Sequence, residues 1–162
     1  MKPKLLIITG TPCTGKSTLA IVLAKKLKFE RVDLHHYYHT ISSGYNQKKQ
    51  AYDIDKKKFI ALVQKKLSQT EKGLIVDSHI SHLLPVRLVD QCIVLTCSNL
   101  KILQRRLQKR KYSPEKTREN LDSEIFQICL MEAREQGHKV MVFDTGTSRL
   151  SEIQKAIVKL YK

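Results

Sequence analysis

One octapeptide constrains this chain more than any other feature: Gly10-Thr11-Pro12-Cys13-Thr14-Gly15-Lys16-Ser17 matches GxxxxGK[ST] at every fixed position. Lys4–Thr9 before it is a short apolar, β-branched run, and Leu19, Leu23, Ala24 and Leu27 recur at helical spacing just beyond Lys16. Strand, glycine loop, helix is the context a phosphate cradle requires. With glycine at ~7% of average usage, the four fixed positions coincide by chance in a chain of this length well under about 1% of the time.

The spacing has a physical cause. Gly10, Cys13 and Gly15 belong to a loop whose backbone N–H groups converge on phosphate oxygens, and the helix N-terminus adds partial positive charge. Lys16 is expected to reach the β- and γ-phosphates of ATP. The Ser17 hydroxyl suits Mg2+, a hard cation that needs few protein oxygens, and Thr18 offers its N–H and hydroxyl to the α-phosphate. Asp77 ends an apolar run, where a carboxylate faces the metal through water at the carboxyl edge of a parallel sheet, or else caps the next helix. His79, two residues on, either approaches the phosphates or is polar lining.

Elsewhere, strands are expected at 29–34, 74–77, 92–96 and 139–144, and helices at 56–68, 99–109, 114–136 and 151–161. Ser113-Pro114 reads as an N-cap followed by proline at the first helical position, and Gly137 stands where a C-cap belongs. Alternating strands and helices imply parallel pairing and right-handed crossovers, hence a single α/β domain over 1–162 built as a helix-sheet-helix sandwich.

Thirty Lys and Arg against fifteen Asp and Glu give a formal charge of +15 and a pI near 9.8. A field of that sign concentrates polyanions such as RNA or nucleotides, and it equally serves solubility. No apolar run approaches the ~18 residues of a membrane span, so no membrane partner is expected. The start, Met1 to Ile8, passes directly into the glycine turn and reads as a buried strand, not a signal peptide. Four cysteines without a CxxC pair fit reduced thiols in the cytoplasm, or the nucleus of a eukaryote.

Four segments together resemble the CINAP family of adenylate kinases, the small nuclear and archaeal type also implicated in small ribosomal subunit maturation. They are GTPCTGKST at 10–18, Asp77-Ser78-His79 with Pro85-Val86-Arg87, the stretch 107–113, and Glu119-Asn120-Leu121-Asp122-Ser123-Glu124-Ile125. The resemblance implies a three-layer P-loop fold with a five-stranded parallel sheet in the order 2-3-1-4-5. It also implies a monophosphate-binding segment near 33–56, a lid near 109–119, and Arg110 as the lid arginine over ATP. Asp33 is then a substrate-binding candidate. Two departures stand out. Cys13 occupies a position that is usually glycine, and residues 32–72 hold no arginine to clamp an acceptor phosphate, so Arg87, helped by Lys48 or Lys49, is assigned that part.

The activity so implied is phosphoryl transfer from Mg-ATP to AMP or a related nucleoside monophosphate, with Lys16, Arg110, Asp77 and His79 as the catalytic set. Two alternatives stay open. One is an ATPase assembly factor whose partners include the small-subunit ribosomal protein uS11, rRNA, or pre-30S or pre-40S particles; the other is a small-metabolite kinase. Tyr37, Tyr38, Tyr45 and Tyr52 either stack on a base or pack a mobile subdomain. His35, His36 and His39 lack a nearby third ligand for zinc. Asp144-Thr145-Gly146 borders adenine in related kinases, or is a turn. Arg105 and Arg106 read as a basic helix face.

Overall fold

Leu5, Leu6, Ile7 and Ile8 are all fully buried, because the strand that carries them is covered on both faces. In the computed structural model, which describes residues 4–162, the chain runs β1 (Lys4–Thr9), α1 (Lys16–Leu27), β2 (Glu30–Asp33), α2 (Tyr38–Ile41), β3 (Ser42–Asn46), β4 (Ala51–Ile54) and α3 (Lys56–Gln69). It continues with β5 (Gly73–Asp77), β6 (Gln91–Thr96), α4 (Leu100–Lys109), α5 (Pro114–Ile125), α6 (Ile128–Glu135), β7 (Val140–Asp144) and α7 (Leu150–Val158). Met1, Lys2 and Pro3, part of the first-strand expectation, lie outside the described residues.

Five strands form one parallel sheet in the order β2-β5-β1-β6-β7, which is the expected 2-3-1-4-5 once the strands of that sheet are counted alone. Alternation along β1 divides the core. Leu5 and Ile7 pack with Phe59, Val63 and Leu67 of α3 and with Leu130 and Ala133 of α6. Leu6 and Ile8 face the other way, onto Leu19, Ala20 and Leu23 of α1 and Ile153 and Ile157 of α7. The result is the α/β sandwich that the sequence pattern predicts.

Local signals fix the helix starts. Ser113 Oγ accepts from the Lys116 N–H at 3.1 Å with Pro114 at the first position, as expected, while Asp55 and Asn99 cap α3 and α4 in the same way. The single helix expected over 114–136 is corrected: Gln127 takes φ 50°, a left-handed conformation, and separates α5 from α6. A second difference lies at 42–54, where β3 and β4 form an antiparallel hairpin outside the main sheet. Among the described residues no helix is long and apolar enough to cross a membrane.

Candidate phosphate-binding and acceptor site

The loop between β1 and α1 sits at the carboxyl edge of the sheet. Gly10 has φ 146°, and a Cβ there would lie 2.3 Å from the Leu95 carbonyl oxygen, so only glycine lets the chain turn off β1 against β6. Gly10 therefore shapes the loop from beneath and does not line the cleft. Cys13 adopts φ 68°, which an L-residue adopts at a cost of about 1–2 kcal/mol. Neighbouring contacts hold it there: Arg106 Nη1 donates to the Cys13 carbonyl at 3.3 Å, and the Cys13 thiol points back to the Arg106 carbonyl at 3.8 Å. Arg106 thus touches the loop and is more than part of a basic helix face, whereas Arg105 faces solvent.

Lys16 is drawn into the loop, its Nζ donating to the Thr11 carbonyl at 2.9 Å. Burial pushes its pKa down to about 8, against the opposing pull of Cys129, Asp77 and Cys13. Ser17 Oγ donates to Asp77 Oδ2 at 3.0 Å. A hydroxyl and a carboxylate side by side at the mouth of a phosphate loop are the hard oxygen donors that fit Mg2+. His79 is in the cleft wall. Desolvation by the surrounding protein and the nearby Lys16 ammonium press its pKa down to about 4, so it is a neutral imidazole at pH 7.

These groups share one cleft of about 410 Å³. Its floor is the loop from Pro12 to Thr18, apart from buried Thr14, and Arg110 overhangs from the turn after α4. One wall is aromatic. Tyr38 and Tyr52 stand 6.0 Å apart, Tyr45 meets Tyr52 edge-on at 5.2 Å, and His35 meets Tyr38 at 5.1 Å. A second part of the lining is polar, from Lys116, Asn120 and Ser123 of α5. Lys116 Nζ donates to the Lys49 carbonyl of the hairpin turn at 3.3 Å, joining α5 to the hairpin.

Of the residues singled out from the sequence, Cys13, Gly15, Lys16, Ser17, Thr18, Asp77, His79 and Arg110 therefore come together. Arg87 does not. It lies exposed in a 3-10 turn that leads into β6 next to Asp90, whose N–H pairs with the Leu5 carbonyl at the amino edge of the sheet, opposite the loop. The assignment of Arg87 to an acceptor phosphate is thus corrected. Asp33 is also outside the lining: its carboxylate accepts from the His35 N–H at 3.1 Å and lies 3.4 Å from Arg31. Thr145, in the turn expected near adenine, donates to the Thr14 carbonyl at 2.8 Å and braces the loop from behind.

Arg31 is the residue sequence reasoning missed. It stands one position before the segment searched for an arginine, and it forms a two-pronged pair with Asp77, Nε to Oδ1 at 2.7 Å and Nη2 to Oδ2 at 2.9 Å. The signal was present in the strand order. β2 lies beside β5 with Asp33 opposite Asp77, which puts residue 31 on the same face and diagonal to that carboxylate.

Comparison with known proteins agrees with this geometry. The AAA domain family matches residues 6–127. The adenylate kinase isoenzyme 6 homolog of Schizosaccharomyces pombe is 34% identical over 158 residues, covering 96% of this chain and 88% of that protein. The chain belongs to this family. The Dictyostelium discoideum homolog of the same name is 34% identical over 153 residues, covering 93% of this chain and 85% of its own.

Among solved structures, the fold is shared with Bacillus subtilis YorR in complex with phosphorylated GDP, at TM-score 0.63 and 20% identity over 98% of this chain and 95% of that one. Shikimate kinase from Bacteroides thetaiotaomicron superposes with TM-score 0.60 at 14% identity, covering 98% of each chain. Family and fold together make the chain a phosphotransferase of the P-loop kinase type.

Proposed function

We propose that this family member transfers the terminal phosphoryl group of Mg-ATP to a nucleoside monophosphate, AMP or a close relative. The observation that carries the reading is the continuity of one cleft from the phosphate loop to the Tyr38, Tyr45 and Tyr52 wall. Aromatic faces sharing one cleft with polar Asn120 and Ser123 suit a planar base better than a small aliphatic metabolite. The names of the relatives point to the same acceptor.

The residues then divide the work by chemistry. The loop amides and the Lys16 ammonium hold the β- and γ-phosphates, and Arg110, brought over the γ-phosphate, offsets charge that develops in transfer. Ser17 and Asp77 would hold Mg2+, Asp77 through water; when bound, the ion supplies charge neutralisation and orients the phosphates. Neutral His79 offers a hydrogen-bonding imidazole at the cleft wall without adding charge. Residues 33–56 and 109–119 act as the acceptor-binding segment and the lid, which together exclude water.

A second reading, an ATPase acting in small ribosomal subunit maturation with uS11, rRNA or a pre-30S or pre-40S particle as partner, is favoured by the +15 charge and by exposed Arg105, Lys109 and Lys111. One assay separates the readings. Purified protein is given Mg-ATP with each nucleoside monophosphate, with common metabolites, and alone, and both ADP and phosphorylated product are measured. ADP in twofold yield from ATP plus AMP supports the kinase. ATP consumption without an acceptor, and particle binding that is lost in Lys16→Ala, support the assembly factor. No product from any monophosphate would sink the first reading.

A further inference from the structure

Beneath the phosphate loop runs a line of hydrogen bonds that none of these roles uses. Thr9, the last residue of β1, is fully buried, and its hydroxyl lies 2.8 Å from His82 Nδ1. The other ring nitrogen, Nε2, meets Glu132 Oε2 of α6 at 2.7 Å. A carboxylate oxygen accepts, so Nε2 donates to Glu132 and Nδ1 is left to accept from the Thr9 hydroxyl. The ring itself is 1% exposed, and the His82 carbonyl accepts from His138 Nε2 at 2.9 Å, which secures the turn that carries it. Cys129, one helical turn before Glu132, points its thiol to the His79 carbonyl at 3.7 Å.

Carboxylate, imidazole and hydroxyl in this order resemble a nucleophilic triad, yet Thr9 has no exposed surface through which to meet a substrate. Its position gives it a different use. Thr9 immediately precedes Gly10, whose φ of 146° starts the loop where a Cβ would meet the Leu95 carbonyl. Whatever fixes the Thr9 side chain fixes the point from which the loop amides are aimed.

We propose that Glu132, His82 and Thr9 form a positioning relay that ties α6 to the root of the phosphate loop and holds the loop ready for nucleotide. A preformed cradle loses less conformational freedom on binding, so breaking the relay weakens affinity without removing any contact to the ligand. The proposal rests on the reading of the loop as a nucleotide cradle.

Glu132 supplies the sharpest test, because its side chain is 48% exposed and, among the described residues, its side-chain hydrogen bond is to His82. Mg-ADP affinity by calorimetry and thermal unfolding are measured for wild type, Glu132→Leu, Glu132→Gln, Thr9→Val, Thr9→Ser and the Glu132→Leu/Thr9→Val double variant. Glu132→Leu and Thr9→Val are expected to weaken binding by roughly fivefold to tenfold, the worth of one buried hydrogen bond. Removing a negative charge by itself favours an anionic ligand, so the loss in Glu132→Leu runs against the Coulomb trend.

Gln keeps an accepting oxygen and Ser keeps the hydroxyl, so both are expected to restore affinity, and the double variant binds no more weakly than Thr9→Val. Affinities within twofold of wild type in Glu132→Leu and Thr9→Val, whatever happens to the melting temperature, overturn the relay. So do strictly additive losses in the double variant. Wild type that binds no magnesium nucleotide overturns the underlying functional reading and leaves the relay nothing to position, a failure distinct from the other two.

Discussion

The Arg31 guanidinium grips both carboxylate oxygens of Asp77, at 2.7 and 2.9 Å, where Asp77 is 2% exposed and also accepts from Ser17. A planar fork is the geometry that satisfies a carboxylate and fixes its plane at once. Removing the arginine leaves a buried charge short of partners. Arg31→Gln is therefore expected to cost about 3 kcal/mol in urea unfolding and to lower Mg-ATP-dependent turnover at least tenfold. Arg31→Lys restores the charge but not the fork, and recovers only part of both losses. Unfolding of Arg31→Gln within about 1 kcal/mol of wild type would show that the pair does not hold Asp77 in place.

Lys16 makes nucleotide binding depend on pH in a definite direction. Its pKa is pushed down to about 8 by burial, and phosphate oxygens bind the ammonium form. Below pH 8 the free protein already carries that proton, so affinity is level near neutrality. Above it, binding must first take up a proton, and affinity falls by up to about tenfold per pH unit. Calorimetry at pH 8.5 in two buffers of different ionisation enthalpy is expected to register that proton uptake, and Lys16→Met to abolish it. Constant affinity from pH 7 to 9.5 would contradict the assignment.

Cys13 is the thiol in the phosphate loop, half-buried, while Cys92, Cys97 and Cys129 are buried. Burial raises its pKa, and the opposing fields of Arg110, Lys16 and Arg106 do not overcome that. It is thus protonated at pH 7. Alkylation by iodoacetamide is expected to be slow at neutral pH, to quicken by about tenfold per unit as the pH rises toward the thiol pKa, to modify Cys13 first, and to be retarded by Mg-ATP. Peptide mapping of the labelled protein checks the site. Labelling at the same rate with and without nucleotide would count against phosphates lying on this loop.

What the sequence shows clearly is what depends on neighbours along the chain. The loop from Gly10 to Ser17, the buried runs at 74–77 and 92–96, and the Ser113-Pro114 cap are local patterns, and each appears where its residues predict. Arg31 and Arg87 show the limit. Which arginine reaches the site is decided by strand adjacency and by which edge of the sheet a turn occupies, neither of which is written in spacing alone. The hairpin at 42–54 is hidden for another reason: its face toward the cleft carries Tyr45 and Tyr52, which expose 54% and 39% of their surface, so it lacks the buried alternation that marks a strand.

The break at Gln127 was illegible because nothing in Glu124-Ile125-Phe126-Gln127-Ile128 stops a helix: it contains neither glycine nor proline. Tertiary packing imposes it. Glu124, 7% exposed, sends its carboxylate to the Cys97 N–H at 2.7 Å, while Cys129, Leu130 and Ala133 turn inward on a different axis toward the sheet. The chain can serve both only by placing one residue in the left-handed region, and exposed Gln127 takes it with φ 50°. Glycine carries no Cβ penalty there. Gln127→Gly is expected to stabilise the protein by about 1 kcal/mol in urea unfolding, and Gln127→Val to destabilise it by more than that, because a β-branched residue tolerates positive φ least. If Gln127→Gly instead weakened the fold by a similar amount, α5 and α6 would have to be one continuous helix in solution, and the Glu124 contact with Cys97 would go with it.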